Sequence, residues 1–158
     1  MQLPNISIIL PTFNEGENLK QLVPELLTVF RDLDLKDSEI IISDDGSTDN
    51  TKDVLEKIDF KDNNVTLLER SAKPSLPMSI YDGICLAKNE VIMWLDADGS
   101  MPAATVKKMI QAYSTGNKNI IIASRFAEGG GYKGVKEIGK TTIIDAIKNV
   151  KNSKDSVS

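Results

Sequence analysis

The chain has 158 residues, 41% of them hydrophobic and 27% charged, with a formal net charge of −4. That is the make-up of one globular domain with a real core, and its acidic balance argues against broad nucleic-acid binding. Histidine is absent, which removes Ser/His and Cys/His nucleophile systems, imidazole zinc sites and histidine general bases together. No apolar run approaches the ~20 residues needed to cross a bilayer, and Met1-Gln2-Leu3-Pro4-Asn5 lacks the basic start and apolar stretch of an export signal. The expected compartment is therefore the cytoplasm. The single cysteine, Cys85, falls in an expected helix, has no internal disulfide partner, and reads as a packing residue rather than a nucleophile.

In chain order, Ile6 to Leu10 is a β-branched run ended by Pro11. Leu19, Leu22, Val23, Leu26, Leu27, Phe30 and Leu33 then recur with helical period. Pro24 inside that pattern predicts a kink, or a helix whose first turn begins later than the periodicity suggests. A second strand, Glu39-Ile40-Ile41-Ile42-Ser43, stops at Asp44-Asp45-Gly46-Ser47-Thr48-Asp49, and Val54, Leu55 and Ile58 mark the next helix. Val65 to Leu68 gives a third strand, a helix from about Leu76 to Lys88 follows, and Glu90 to Leu95 gives a fourth strand. Pro102 suits the first turn of a further helix, and Asn119 to Ala123 completes five strands alternating with helices. This alternation predicts an α/β fold: a mostly parallel central sheet with helices on both faces and its functional loops along one edge. From Gly129-Gly130-Gly131 the chain turns glycine-rich, then lysine-rich, with Ile143, Ile144, Ile147 and Val150 on one helical face.

The most informative stretch is Val91-Ile92-Met93-Trp94-Leu95-Asp96-Ala97-Asp98-Gly99-Ser100, an apolar strand running into two carboxylates one residue apart. The strand is expected in the middle of the sheet, with Asp96 and Asp98 at its carboxyl end facing a crevice. Two carboxylates so placed suit a hard cation, Mg²⁺ or Mn²⁺, which keeps open positions for substrate phosphates. The plainer alternative is a strand-to-turn junction that favours Asp and Gly for backbone reasons.

Pro11-Thr12-Phe13-Asn14-Glu15, Asp44-Asp45-Gly46-Ser47-Thr48-Asp49, Asp96-Ala97-Asp98 and Ser124-Arg125-Phe126, in that order, resemble the motifs of the family-two inverting glycosyltransferases of GT-A fold. Within that family the chain is most similar to the dolichol-phosphate mannosyltransferase and polyprenyl-phosphate glycosyltransferase branch. The resemblance covers roughly residues 5 to 131 and implies a Rossmann-like three-layer sandwich. It implies that Pro11, Thr12 and Glu15, with Asn14 beside them, line the nucleoside pocket and that Asp44 or Asp45 contacts the base or ribose. Helix capping by Asn14 and Glu15, and a turn with Asp49 as N-cap, are the alternative roles for the same residues. The resemblance further implies that Asp96 and Asp98 act at the sugar nucleotide and its Mg²⁺ or Mn²⁺. Arg125 either contacts a phosphate of donor or acceptor or is a surface arginine, and Arg70 adds positive potential to the cleft.

Lys73-Pro74-Ser75-Leu76-Pro77-Met78-Ser79 stands where members of this branch carry a glycine-rich segment, and its two prolines are stiff. Residues 1–131 are expected to form the nucleotide-sugar domain and residues 132–158 a lysine-rich helical tail. That tail reads as part of an acceptor region or an altered terminus, packing on its own domain in preference to an anionic membrane surface. The implied activity is metal-dependent transfer of a hexose from a GDP-mannose or UDP-glucose type donor, with inversion, in the cytoplasm or at the cytoplasmic membrane face. A polyprenyl phosphate acceptor is chemically attractive because a phosphate monoester is already anionic near neutral pH. The alternatives are a nucleotide-binding module without acceptor chemistry and a sugar nucleotidyltransferase; the latter lacks its glycine- and lysine-rich phosphate loop near the first strand.

Overall fold

The computed structural model describes residues 3–58, 64–115 and 120–124. The chain divides into two units, Met1–Ile121 and Ile122–Ser158. The first alternates strand and helix: β1 (Ile6–Thr12), α1 (Gly16–Asp32), β2 (Glu39–Asp44), α2 (Thr51–Leu55), β3 (Val65–Glu69), α3 (Leu76–Leu86), β4 (Val91–Trp94) and α4 (Ala103–Thr115). The strands form one parallel sheet in the order β3-β2-β1-β4.

Side-chain alternation along β1 divides the sheet into two faces. Ile6, Ile8 and Leu10, with Ile40 and Ile42 of β2, join the core built by Leu19, Leu22, Val23 and Leu26 of α1, Val54 of α2, and Val106 and Ile110 of α4. Ile9 and Ile41, fully buried, point the other way, where α3 packs on β1 and β2. Burial on both faces is why β2 reads as uninterrupted isoleucine. At the amino ends of the strands the buried Glu39 carboxylate accepts the Ser7 hydroxyl at 2.7 Å and the Lys88 backbone N–H at 2.7 Å, tying the α3–β4 connection to the sheet.

The structure departs from the sequence expectations at several points. Pro11 does not end β1, which continues to Thr12 opposite Asp44. Ile9 bonds to the β4 side through its carbonyl, so Pro11, two residues on, also turns toward β4, where the ladder has already stopped at Ile9 and Trp94. Its missing N–H therefore breaks no ladder bond. Of the two alternatives for Pro24, a kink or a late first turn, the late start is excluded: helix α1 starts at Gly16 and contains Pro24, and Lys20 and Pro24 are both exposed, so water can serve the carbonyl that proline leaves without a donor. The fourth strand is an edge among the described residues, not a central strand, and Trp94 is 51% exposed. Of the run expected as a fifth strand, Asn119 lies outside the described residues, and residues 120–124 are not in strand conformation, with Ile120 76% exposed. Helices α2 and α3 also stop short of Ile58 and Lys88.

Gly83 sets how closely α3 approaches the sheet. A Cβ there would lie 2.5 Å from Cγ2 of Ile9, whose side chain is fully enclosed. Gly83→Ala is expected to cost about 1–3 kcal/mol by overpacking, despite alanine's better helix propensity. Thermal unfolding of the chain should show a Tm lower by roughly 3–10 °C; an unchanged Tm would mean that α3 can lift from β1 without loss.

Candidate functional site

Because the strands are parallel, the loops following β1, β2 and β4 open at one edge of the sheet, with the β1 loop in the middle. The backbone continues its pairing past the strand ends: Asp45 N–H donates to the Thr12 carbonyl at 2.9 Å, and Arg70 N–H to the Asp44 carbonyl at 2.8 Å. A cavity of about 260 Å³ lies here, lined by Pro11, Thr12, Phe13, Asp45, Pro74, Ser75, Leu76 and Ser79. Its walls are mostly apolar, with a few polar groups, as ligand pockets usually are.

The adjacent acids Asp44 and Asp45 do different work. The Asp44 carboxylate turns into its own loop, accepting the Ser47 backbone N–H at 3.3 Å and the Ser47 hydroxyl. Asp45 lines the cavity. Its Oδ1 is held by Nη1 of Arg70 and its Oδ2 accepts the Ser75 backbone N–H at 2.7 Å. Gly46, at φ 83°, makes the turn between these acids and Ser47 in a conformation that L side chains rarely adopt. Arg70 is nearly enclosed, its side chain 4% exposed, and its Nε donates to Asp82 on α3 at 2.7 Å. The bond from Asp82 first, and the charge of Asp45 next, raise the guanidinium above its ordinary pKa. Arg70 is thus a structural partner of the pocket acid rather than a free cation.

Asn14 sits in the left-handed region at φ 59°, and its Oδ1 accepts the backbone N–H groups of Thr48 at 2.8 Å and Asp49 at 3.2 Å. It ties the β1 loop to the β2 loop. Glu15 accepts a bond from Asn18 at 2.6 Å and does not line the cavity. Asn50, not Asp49, precedes α2 as its N-cap, and Asp49 instead accepts the Thr51 N–H at 3.0 Å. The proline-containing segment after β3 supplies Pro74, Ser75 and Leu76 to the cavity wall. Pro77 occupies the first turn of α3, where no N–H is needed.

Across β1, burial alternates over Asp96, Ala97 and Asp98: the two acids are exposed and Ala97 is 2% exposed. Both carboxylates are therefore on the open side of the β4 loop. Asp98 Oδ1 accepts the Ser100 N–H at 2.8 Å, and Gly99 takes φ 73°. A Cβ at Gly99 would come 3.8 Å from Oδ1 of Asn18, so this loop rests beside the first turn of α1. Among the described residues no group of three or more His, Cys, Asp or Glu gathers. Two carboxylates with further oxygens from phosphates is nonetheless a donor set that suits Mg²⁺ or Mn²⁺. Arg125 and Phe126, and the tail from 132 to 158, lie outside the described residues.

Phe13, Ser75, Leu76, Ser79 and Asp82 had no site role in the sequence reading. Asp82 carried a signal: it is the sole charged residue of α3.

The model of glycosyl transferase family 2 matches residues 7–153. The chain belongs to that family. A dolichol-phosphate mannosyltransferase of Pyrococcus furiosus is 31% identical over 125 residues, covering 79% of this chain and 34% of the relative. The enzyme of that name from Mycosarcoma maydis is 29% identical, covering 80% of this chain and 44% of the relative. The family 2 chain described here thus spans between a third and a half of the length of these relatives. Among solved structures, the mannosyltransferase PcManGT from Pyrobaculum calidifontis, in complex with GDP-Man and Mn²⁺, aligns with TM-score 0.52 at 25% identity, covering 66% of this chain and 32% of that one. Glucosyl-3-phosphoglycerate synthase from Mycobacterium tuberculosis aligns with TM-score 0.56 at 18% identity, covering 72% of this chain and 41% of that one. The fold is the Rossmann-like α/β GT-A fold. No helix among the described residues is long and apolar enough to cross a membrane.

Proposed function

We propose that this chain binds the nucleoside diphosphate of a sugar nucleotide and serves transfer of its hexose, with inversion, to a phosphate acceptor. The observation that carries this is the cavity bearing Asp45 at the ends of β1 and β2, with the exposed Asp96 and Asp98 one strand away on the other side of β1. Strands β2 and β4 are each one strand spacing of ~4.8 Å from β1, so their loops are within reach of one extended nucleotide. Pro11, Phe13, Pro74 and Leu76 give a base an apolar enclosure, and the Asp45 carboxylate gives its N–H an acceptor. Asp96 and Asp98 are the residues that would hold Mg²⁺ or Mn²⁺, whose contribution is to neutralise charge on the departing diphosphate. Pyrobaculum calidifontis PcManGT, bound to GDP-Man and Mn²⁺, supports this assignment by similarity.

The acceptor we favour is a polyprenyl phosphate, presented at a membrane surface. A hydroxyl acceptor needs a base, whereas a phosphate monoester, with a second ionisation near pH ~6, attacks as the anion it already is. A chain without histidine is at no disadvantage in that reaction. Arg125 is proposed to contact a phosphate of donor or acceptor, and residues 132–158 to belong to the acceptor side.

Calorimetric titration with GDP and with UDP, each in the presence of Mn²⁺, tests the donor half of this reading. Saturable binding of one, lost on chelation, is the expected result. A folded chain that binds neither would overturn it.

A further inference from the structure

We propose that Asp82, on α3, is a positioning residue for base recognition: it fixes Arg70, and through Arg70 it fixes the Asp45 carboxylate that lines the cavity. The inference rests on the nucleotide reading above and extends it to a residue outside the cavity wall.

A guanidinium is planar, with its donors in a rigid fork, so anchoring one nitrogen sets the plane of the others. Asp82 takes Nε of Arg70 at 2.7 Å, and the same plane delivers Nη1 to Oδ1 of Asp45. The second oxygen of Asp45 is held by the Ser75 N–H at 2.7 Å, immediately before α3. Helix α3 thus grips the pocket acid twice, once at its start and once, through Arg70, from its second turn. Asp45 and Arg70 are almost enclosed, with side chains 6% and 4% exposed, while Asp82 is 36% exposed and keeps part of its hydration.

The charge count matters as much as the geometry. With Arg70 between two carboxylates the cluster carries a net negative charge, so Asp45 retains acceptor strength for a base N–H. With Arg70 facing Asp45 alone, the two would close into a neutral pair that competes with the ligand. Asp82 is therefore what keeps Asp45 both aimed and unquenched.

The test uses the full chain and two probes in Mn²⁺: whichever of GDP or UDP binds more tightly, and inorganic pyrophosphate, read by competition. Asp82→Asn keeps the shape and removes the charge, and should weaken the nucleoside diphosphate about five-fold, since a charge-assisted bond is roughly twice as strong as a neutral one. Asp82→Ala removes the bond as well and should weaken it further. In both variants pyrophosphate affinity should stay within about two-fold of the parent, because that ligand has no base to meet Asp45. Asp82→Glu should recover part of the loss. Should Asp82→Ala not fold, the isosteric Asn variant decides alone. Unchanged nucleotide affinity in the folded variants, or equal weakening of both probes, overturns the positioning role. Failure of the parent chain to bind any nucleotide instead removes the reading on which the role rests.

Discussion

Replacing Asp98 by alanine is expected to lower Mn²⁺-dependent affinity for the nucleoside diphosphate by at least about 100-fold, since even partners one shell outside a metal ligand cost 10–100-fold when lost. The same substitution should leave the fold almost untouched. Asp98 is exposed, and among the described residues its carboxylate accepts the Ser100 N–H at 2.8 Å within its own turn. Losing a bond of that kind costs about 0.5–1.5 kcal/mol, and the turn itself is set by Gly99 at φ 73°, not by the carboxylate. Asp96→Ala should behave similarly, because the buried Ala97 between them places both acids on one side of the loop. Titration with and without chelator, beside a thermal melt, separates the two consequences. Metal-dependent affinity that survives in both variants would show that the carboxylates hold no ion.

The same loop shows how far the sequence carries. The strand before Asp96 was legible from its apolar run, and its carboxyl-end position followed from the alternation of strands and helices. Its place at the edge of the sheet among the described residues was not, because an edge strand and a central strand share the same β-branched and aromatic composition. Pro11, which does not end β1, is a related case. A proline interrupts a ladder only where its N–H was required, and that depends on which neighbour the residue faces, a property of the assembled sheet. Asp44 and Asp45 were legible as a pair but not as individuals. Which acid lines the cavity is decided by Gly46 and Ser47 folding back on Asp44, while Arg70 and Ser75 hold Asp45. The arginine lies 25 residues away in sequence and the serine 30, so no local pattern announces either.

Arg70→Met should be the most destabilising single change at this end of the sheet. The substitution keeps most of the volume but leaves Asp45, whose side chain is 6% exposed, with the Ser75 N–H alone among the described residues for its charge. Breaking a buried pair by removing one partner costs about 3–5 kcal/mol, because the remaining charge is uncompensated. Urea unfolding should show a loss of that size with an unchanged m-value, and the melting temperature should fall by roughly 6–20 °C. Lys36→Met is the control: its partner Asp34 is 81% exposed and Lys36 itself 79%, so the pair contributes about 0–1 kcal/mol at most. Arg70→Lys should recover only part of the loss, since a single ammonium on a flexible stem does not replace a planar fork held between Asp82 and Asp45. If Arg70→Met proved no worse than Lys36→Met, the enclosed arginine would be contributing nothing to the fold. Asp45 would then have to owe its position to Ser75 alone, which a single 2.7 Å hydrogen bond from a loop backbone is poorly suited to guarantee.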